Sequence, residues 1–258
     1  MHVGTDPVTE SRRLHAGQLG IAQRASAWGG PGPFVVWDVG LGPAANAIAA
    51  LKALESAWIA SSSPEPWAEI HSFEIATDVL EFALSHASDL GYLAGREALF
   101  VDLLSHGVCH PMPGLLWRLH RGDFSLGHWE ASAPSAVMFD PYSPLQNADM
   151  WTLDLFTRMR AVVAPSGCLL TNYTRSTPVR VTMLLAGWFV GRGIATGGKE
   201  ETTVAATDPS LLDDPLDPGW LARVRSSTSS APLRGSSLSR APISPGDYAL
   251  LEAHPQFR

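Results

Sequence analysis

Asp38, Glu74, Asp123 and Asp140 each follow or close an apolar run of this 258-residue sequence, and the first opens the spacing Asp-x-Gly-x-Gly with Gly40 and Gly42. Acids recurring at the carboxyl ends of successive strands stand where open α/β sheets bind ligands. Glycines spaced G-x-G between a strand and a helix let a ligand come close to the backbone. The chemistry such a set serves is capture of a small molecule, with one acid for an amino group and another for sugar hydroxyls. Taken singly, each acid also reads as a helix cap or a solvated loop residue, and the two glycines as an ordinary βα turn. The ordered set of four is what points to a site.

Three ligand classes use a glycine turn after a first strand. A nucleoside triphosphate wants G-x-x-x-x-G-K-[ST], and no lysine stands at the required place in "VVWDVGLGPAANAIAALKAL". A dinucleotide wants G-x-G-x-x-G/A, which "GLGPAA" satisfies loosely. Pro43, however, brings no N–H to meet a pyrophosphate, and Glu74 comes later than the ~20 residues expected for the ribose acid. S-adenosylmethionine, a cationic sulfonium without phosphate, fits Asp-x-Gly-x-Gly better.

Strand-like and helix-like segments alternate along the chain, the pattern of a parallel sheet covered on both faces. "PFVVWDVG" (33–40) predicts a buried strand and 44–60 a helix; "AEIHSFEI" (68–75) predicts a second strand, entered through the loop "SSSPEPW" (61–67). Helical sequence runs from Thr77 to about Leu104 with a break near Gly91. A third strand is expected within 114–124, a fourth within 135–144 and a fifth in "GCLLTNYT" (167–174). "DMWTLDLFTRMRAVVA" reads as an amphipathic helix, and Pro178 opens another. "WFVGRGIAT" and "ETTVAAT" predict a closing hairpin. The fold class expected is α/β, a doubly wound, mostly parallel sheet with an antiparallel closing hairpin. One domain is expected over 1–207, with 1–32 as its N-terminal segment, followed by a Pro/Ser/Arg-rich extension over 208–258 that reads as a tail rather than a second core.

The net charge of -7 excludes broad, sequence-blind adhesion to nucleic acid, so no DNA partner is expected, although a local basic patch for RNA remains open. The two cysteines, Cys109 and Cys168, lie far apart, against both a disulfide scaffold and a cysteine-rich metal site. His71, His106, His110, His120 and His128 match no common ligand spacing, and no metal is expected. Without a signal-like leader or an apolar stretch long enough for a membrane span, the expected setting is cytoplasmic. Most tryptophans sit in apolar segments and read as packing; Trp151, just after the Asp140 loop, is the exception.

With these residues in hand, the sequence resembles the Rossmann-like class I methyltransferases, and among them the methyltransferase domain of the MnmC family. "GTDPVTESRRLHAGQLGI" is similar to that family's N-terminal segment, "WDVGLGPAANAIAAL" to its glycine turn, and "SFEIATDVLEFAL" to its ribose-binding strand. "FDPYSPLQNADMWTLDLFTRMRAVVAPSGCLLTNYT" resembles the run from an "LDGFAP" motif through "NPDMW" to "PGGTLATYT", and "GGKEETTVAA" the closing strand. Pro43 and Ala44 replace the residues usual after the second glycine, Asn46 is retained, and Pro141-Tyr142 replaces Gly-Phe. No counterpart of the flavin-dependent oxidase domain found in many members follows Thr207. Asp140-Pro141-Tyr142 also resembles the D-P-P-Y motif of methyltransferases acting on exocyclic base nitrogens.

The resemblance implies S-adenosyl-L-methionine as cofactor and N-methylation of tRNA wobble uridine of the 5-aminomethyl-2-thiouridine type. A small-molecule amine as acceptor, or a non-catalytic cofactor-binding module, are the alternatives. It assigns Asp38, Gly40 and Gly42 to the methionine end of the cofactor, with Asn46 in the same turn, Glu74 to the ribose, Asp123 to the adenine and Phe124 to an apolar wall. Asp140 would face the acceptor, with Tyr142 shaping its pocket; Asp140 orients an amine rather than deprotonating it, because an unperturbed carboxylate is a weak base.

Overall fold

Phe34–Val39 forms strand β1, and all six of its residues are buried, as an apolar run in the middle of a parallel sheet requires. In the computed structural model, residues 7–60, 67–196, 199–235 and 240–258 are described. The expected loop over 61–66, residues 1–6 of the N-terminal segment, Gly197 and Gly198 of the closing strand motif, and 236–239 of the extension lie outside them. The chain forms two units, one ending at Asp140 and the other running from Pro141 to the C-terminus.

In the first unit, α1 (Pro7–Ser11), a turn of π-helix (Arg12–Gly17) and α2 (Ile21–Ser26) precede β1 and pack on α3 (Ala45–Ala60). The alanines of α3 that are buried, among them Ala47, Ala49 and Ala50, let those short helices come close. Strand β2 (Ala68–Glu74) follows, then α4 (Asp78–Ser85), α5 (Ala87–Leu90) and α6 (Glu97–His106), with the chain broken at Gly91, φ 73°.

Where one strand is expected, the structure has two: β3 (Val108–Met112) and β4 (Leu115–Arg121) form an antiparallel hairpin. Pro111 obscures β3 in the sequence; it is accommodated at the irregularity between Cys109 and Met112, on an edge strand that leaves it without a ladder bond to make. Strand β5 (Ala136–Phe139) completes the unit, with lateral order β3-β4-β2-β1-β5 and β4, β2, β1 and β5 mutually parallel. The link from β4 to β5 contains only a 3-10 turn (Phe124–Leu126), so aromatic rings replace a crossover helix there. Trp37, Phe73, Phe124 and Trp129 meet mostly edge to face at centroid distances of 4.8–6.0 Å.

The second unit contains α7 (Leu153–Val162), β6 (Leu169–Asn172), α8 (Thr177–Leu185), β7 (Phe189–Gly193) and β8 (Thr202–Ala206). Its strands lie in the order β6-β8-β7, all antiparallel, so the closing hairpin is as expected. The segment after Thr207 is no loose tail. It folds into α9 (Pro218–Ser226) and α10 (Pro245–Glu252) and buries Trp220, Leu221, Val224, Leu233 and Leu251. Gln256 exchanges two 2.7 Å hydrogen bonds with the backbone of Val190 on β7, covering part of an otherwise open edge. Among the described residues no helix is long and apolar enough to cross a membrane.

Candidate functional site

Asp38 occupies the fifth position of β1, beside Ser72 of β2 in the parallel register, and is fully buried. The Ser72 hydroxyl donates to Asp38 Oδ2 at 2.8 Å, and the Trp117 indole N–H donates to Ser72 Oγ at 3.0 Å. Asp38 Oδ1 is buried without a hydrogen-bond partner. Burial drives the Asp38 pKa up to about 8, against the Ser72 hydrogen bond and with the negative fields of Asp140 and Glu74. The carboxyl is thus held neutral until a positive group supplies what its free oxygen lacks.

The turn that follows is built for close approach. Gly40 and Gly42 have φ 88° and 48°, and a side chain grafted onto Gly42 would project into open space. The Gly42 N–H donates to Glu74 Oε2 at 2.9 Å, while Glu74 Oε1 accepts from the N–H groups of Ile75 (2.9 Å) and Ala76 (3.3 Å). Turn and second-strand acid are therefore one hydrogen-bonded assembly. The Tyr92 hydroxyl anchors the turn from outside by donating to the Pro43 carbonyl at 2.8 Å. Asp140 leaves β5 with its N–H on the Val39 carbonyl at 2.9 Å, and its Oδ2 accepts from Asn46 Nδ2 at 2.9 Å.

Asp38, Gly40, Gly42, Asn46, Glu74 and Asp140 thus converge at the carboxyl ends of β1, β2 and β5. Asp123 stands past the end of β4, where its Oδ1 accepts from the Ser125 N–H (2.9 Å) and hydroxyl (2.7 Å) and caps the 3-10 turn. Phe124 is buried in the aromatic cluster as a wall. Tyr142 lies in the second unit, 70% exposed, with its carbonyl bound by the Trp151 indole N–H at 3.0 Å.

Ser72, Trp117 and Ser11 escape a reading of the sequence. Ser72 is recognisable only once the β1/β2 register is known, and Ser11 only once α1 is seen to pack on α3. Two of the histidines form a chain in which Glu69 Oε2 and His71 Nε2, and His71 Nδ1 and His120 Nε2, each lie 2.8 Å apart. Burial, then the neighbouring His71 and Arg118, pull the His120 pKa down to about 4, so that imidazole is neutral at physiological pH. Among the described residues no group of three His, Cys, Asp or Glu side chains is arranged to hold a metal ion.

A partnerless buried carboxyl oxygen beside a glycine turn open to solvent fits a cationic ligand that lies against the backbone. Residues 118–208 match the family model described as S-adenosyl-L-methionine-dependent methyltransferase. The chain is 27% identical over 223 residues to the tRNA 5-methylaminomethyl-2-thiouridine biosynthesis bifunctional protein MnmC of Cupriavidus metallidurans, with 81% of this chain and 31% of that protein covered. The protein of the same name from Methylibium petroleiphilum is likewise 27% identical, over 82% of this chain and 32% of its own length. The chain therefore spans about a third of the curated relatives it matches. The crystal structure of MNMC2 from Aquifex aeolicus superposes with a TM-score of 0.64 at 21% identity, covering 94% of this chain and 73% of that one. That likeness carries the α/β, Rossmann-like fold. The family model over 118–208, the relatives and the fold together support an MnmC-like S-adenosyl-L-methionine-dependent methyltransferase domain.

Proposed function

We propose that this chain methylates a nitrogen on the wobble uridine of tRNA, of the 5-aminomethyl-2-thiouridine type, in a cytoplasmic setting. The observation that carries the reading is the convergence of Asp38, Gly42, Glu74 and Asp140 at neighbouring strand ends. When bound, the cofactor supplies a methyl group already activated by a sulfonium charge, so the protein has chiefly to align the acceptor and exclude water. Asp38 would meet the cofactor's amino group, its orphan oxygen gaining the missing donor. Gly40 and Gly42 leave room along the backbone, and Glu74, already fixed by three N–H groups, presents its remaining lone pairs to the ribose hydroxyls. Asp123 and Phe124 would border the adenine. Asp140 would receive the acceptor amine, orient its lone pair and balance the charge left on it after transfer, with Tyr142 at the rim of the acceptor site.

Transfer of labelled methyl to bulk tRNA lacking the final methyl tests this. Asp140→Ala should lower turnover about 100-fold while cofactor affinity stays within twofold, since misplacing the acceptor by about an ångström costs on the order of 10² in rate. Unchanged turnover removes Asp140 from the reaction. The net charge of -7 favours a second acceptor class, a small-molecule amine, and labelling of a polyamine and amino-acid mixture but not of tRNA would select it.

A further inference from the structure

Asn46 sits one residue into α3, just past the glycine turn, where a side chain would be expected to face the cofactor. Its amide is turned elsewhere. Nδ2 donates to Asp140 Oδ2 at 2.9 Å, and Oδ1 accepts from the Ser11 hydroxyl at 2.6 Å. Ser11 and Asn46 are both buried, at 1% and 7% exposure, so neither end of this chain exchanges freely with water.

The orientation of the amide follows from its neighbours. A carboxylate only accepts, so Asp140 requires the NH2 end of Asn46. The carbonyl end is then left to Ser11, whose hydroxyl must donate. Ser11 lies at the junction of α1 and the π-helical turn, where a serine hydroxyl ordinarily bonds a carbonyl of its own helix. Here it reaches a residue 35 positions later instead. Were the amide reversed, its carbonyl oxygen would face the carboxylate and repel it.

We infer that Ser11 and Asn46 are positioning residues for Asp140: the N-terminal helix, acting through one hydroxyl and one amide, fixes the rotamer of the acceptor-side carboxylate and favours its charged form. This rests on the proposed role of Asp140, and it assigns Asn46 to the acceptor side of the site rather than to the cofactor. It also gives the segment before β1 a task in the reaction. Three carboxyl groups share the crevice, and they cannot all carry charge at low cost. Buried Asp38 takes the proton, and the amide of Asn46 keeps Asp140 from competing for it.

The test is a titration of the Asp140 carboxyl by carbon-13 NMR in the cofactor-free protein, its signal assigned by loss in Asp140→Asn. Asn46→Ala should raise the Asp140 midpoint by about one pH unit, the size expected for losing one hydrogen bond to a charged group, and Ser11→Ala, which frees the amide to turn, should move it in the same direction by a smaller amount. Ser11→Thr, which keeps the hydroxyl, should leave it in place. The acid limb of kcat/KM should move by the same amount, with cofactor Kd within twofold of the parent protein. An Asp140 midpoint that stays put in a folded Ser11→Ala protein overturns the inference. So does an Asn46→Ala protein whose only defect is weaker cofactor binding. If instead the midpoint moves as expected while Asp140→Asn retains full turnover, the positioning chain stands and the proposed role of Asp140 falls.

Discussion

Arg180 in the second unit and Asp38 in the first are both ionisable side chains taken out of water, and they are treated in opposite ways. Every edge of the Arg180 guanidinium has a partner: Thr203 Oγ1 at 2.9 Å, Glu201 at 2.8 Å and the Thr202 carbonyl at 2.7 Å. Arg192 extends the network to Glu201, Asp214 and Asp217. Asp38 has one oxygen held by Ser72 and the other held by nothing. A buried ionisable group that serves the fold is completed by the fold. One left incomplete is a cost that the folded chain retains for a ligand to relieve.

The first way to break this contrast is to remove the complete network. Arg180→Met should destabilise the protein by about 3 kcal/mol, because it strands the buried Thr202 carbonyl and takes from Glu201 its nearest cation. Urea denaturation measures this, and cofactor affinity should be unaffected. A loss below ~1 kcal/mol would mean that the pairing at Arg180 is incidental and that completeness does not distinguish the two sites.

Asp38→Asn should do the reverse. It leaves the shape and the Ser72 contact but removes the charge a cationic ligand needs, so cofactor Kd should rise about 10- to 100-fold, the equivalent of one hydrogen bond to a charged group. Stability should respond with a definite sign. The folded-state pKa is raised to about 8 from 3.8, so the contribution of the neutral Asp38 carboxyl is fully present below about pH 4 and is lost as pH rises toward 8. Between pH 5 and pH 8 the parent protein should lose stability relative to Asp38→Asn. Parallel stability curves would show that the carboxyl does not hold its proton.

The carboxylates of the site were legible because each ends or follows an apolar run, and an apolar run of strand length has only one end facing the ligand side of a parallel sheet. Their partners were not. Ser72 lies beside Asp38 through strand register, and Ser11 meets Asn46 through helix packing, and neither relation has a spacing that a sequence displays. The parallel strands and the closing hairpin follow from periodicity and β-branched content. Strand β3 is hidden by Pro111, and the helices after Thr207 by the prolines and serines around them. In "PGWLARVRS" only Trp220, Leu221 and Val224 carry the amphipathic signal, too few to outweigh that composition.

Strain in the backbone offers the finest test of whether the first unit alone retains costs at its ligand site. Ala44, the residue before α3, has φ 65°, and no other non-glycine among the described residues has positive φ. The left-handed conformation costs an alanine roughly 1 kcal/mol more than a glycine. The turn therefore keeps its shape against the preference of its own residue, held by the Ala44 N–H on the Leu41 carbonyl at 2.8 Å and by Tyr92 on Pro43. Ala44→Gly relieves the strain but loosens the unfolded chain and deletes a buried methyl, two terms that oppose the gain. The expected net stabilisation is between zero and about 1 kcal/mol, read from paired urea melts, with cofactor Kd unchanged. A loss beyond 1 kcal/mol would show that the Ala44 methyl is packed too well for its backbone to be counted as strained, and the retained cost of the site would then be electrostatic alone.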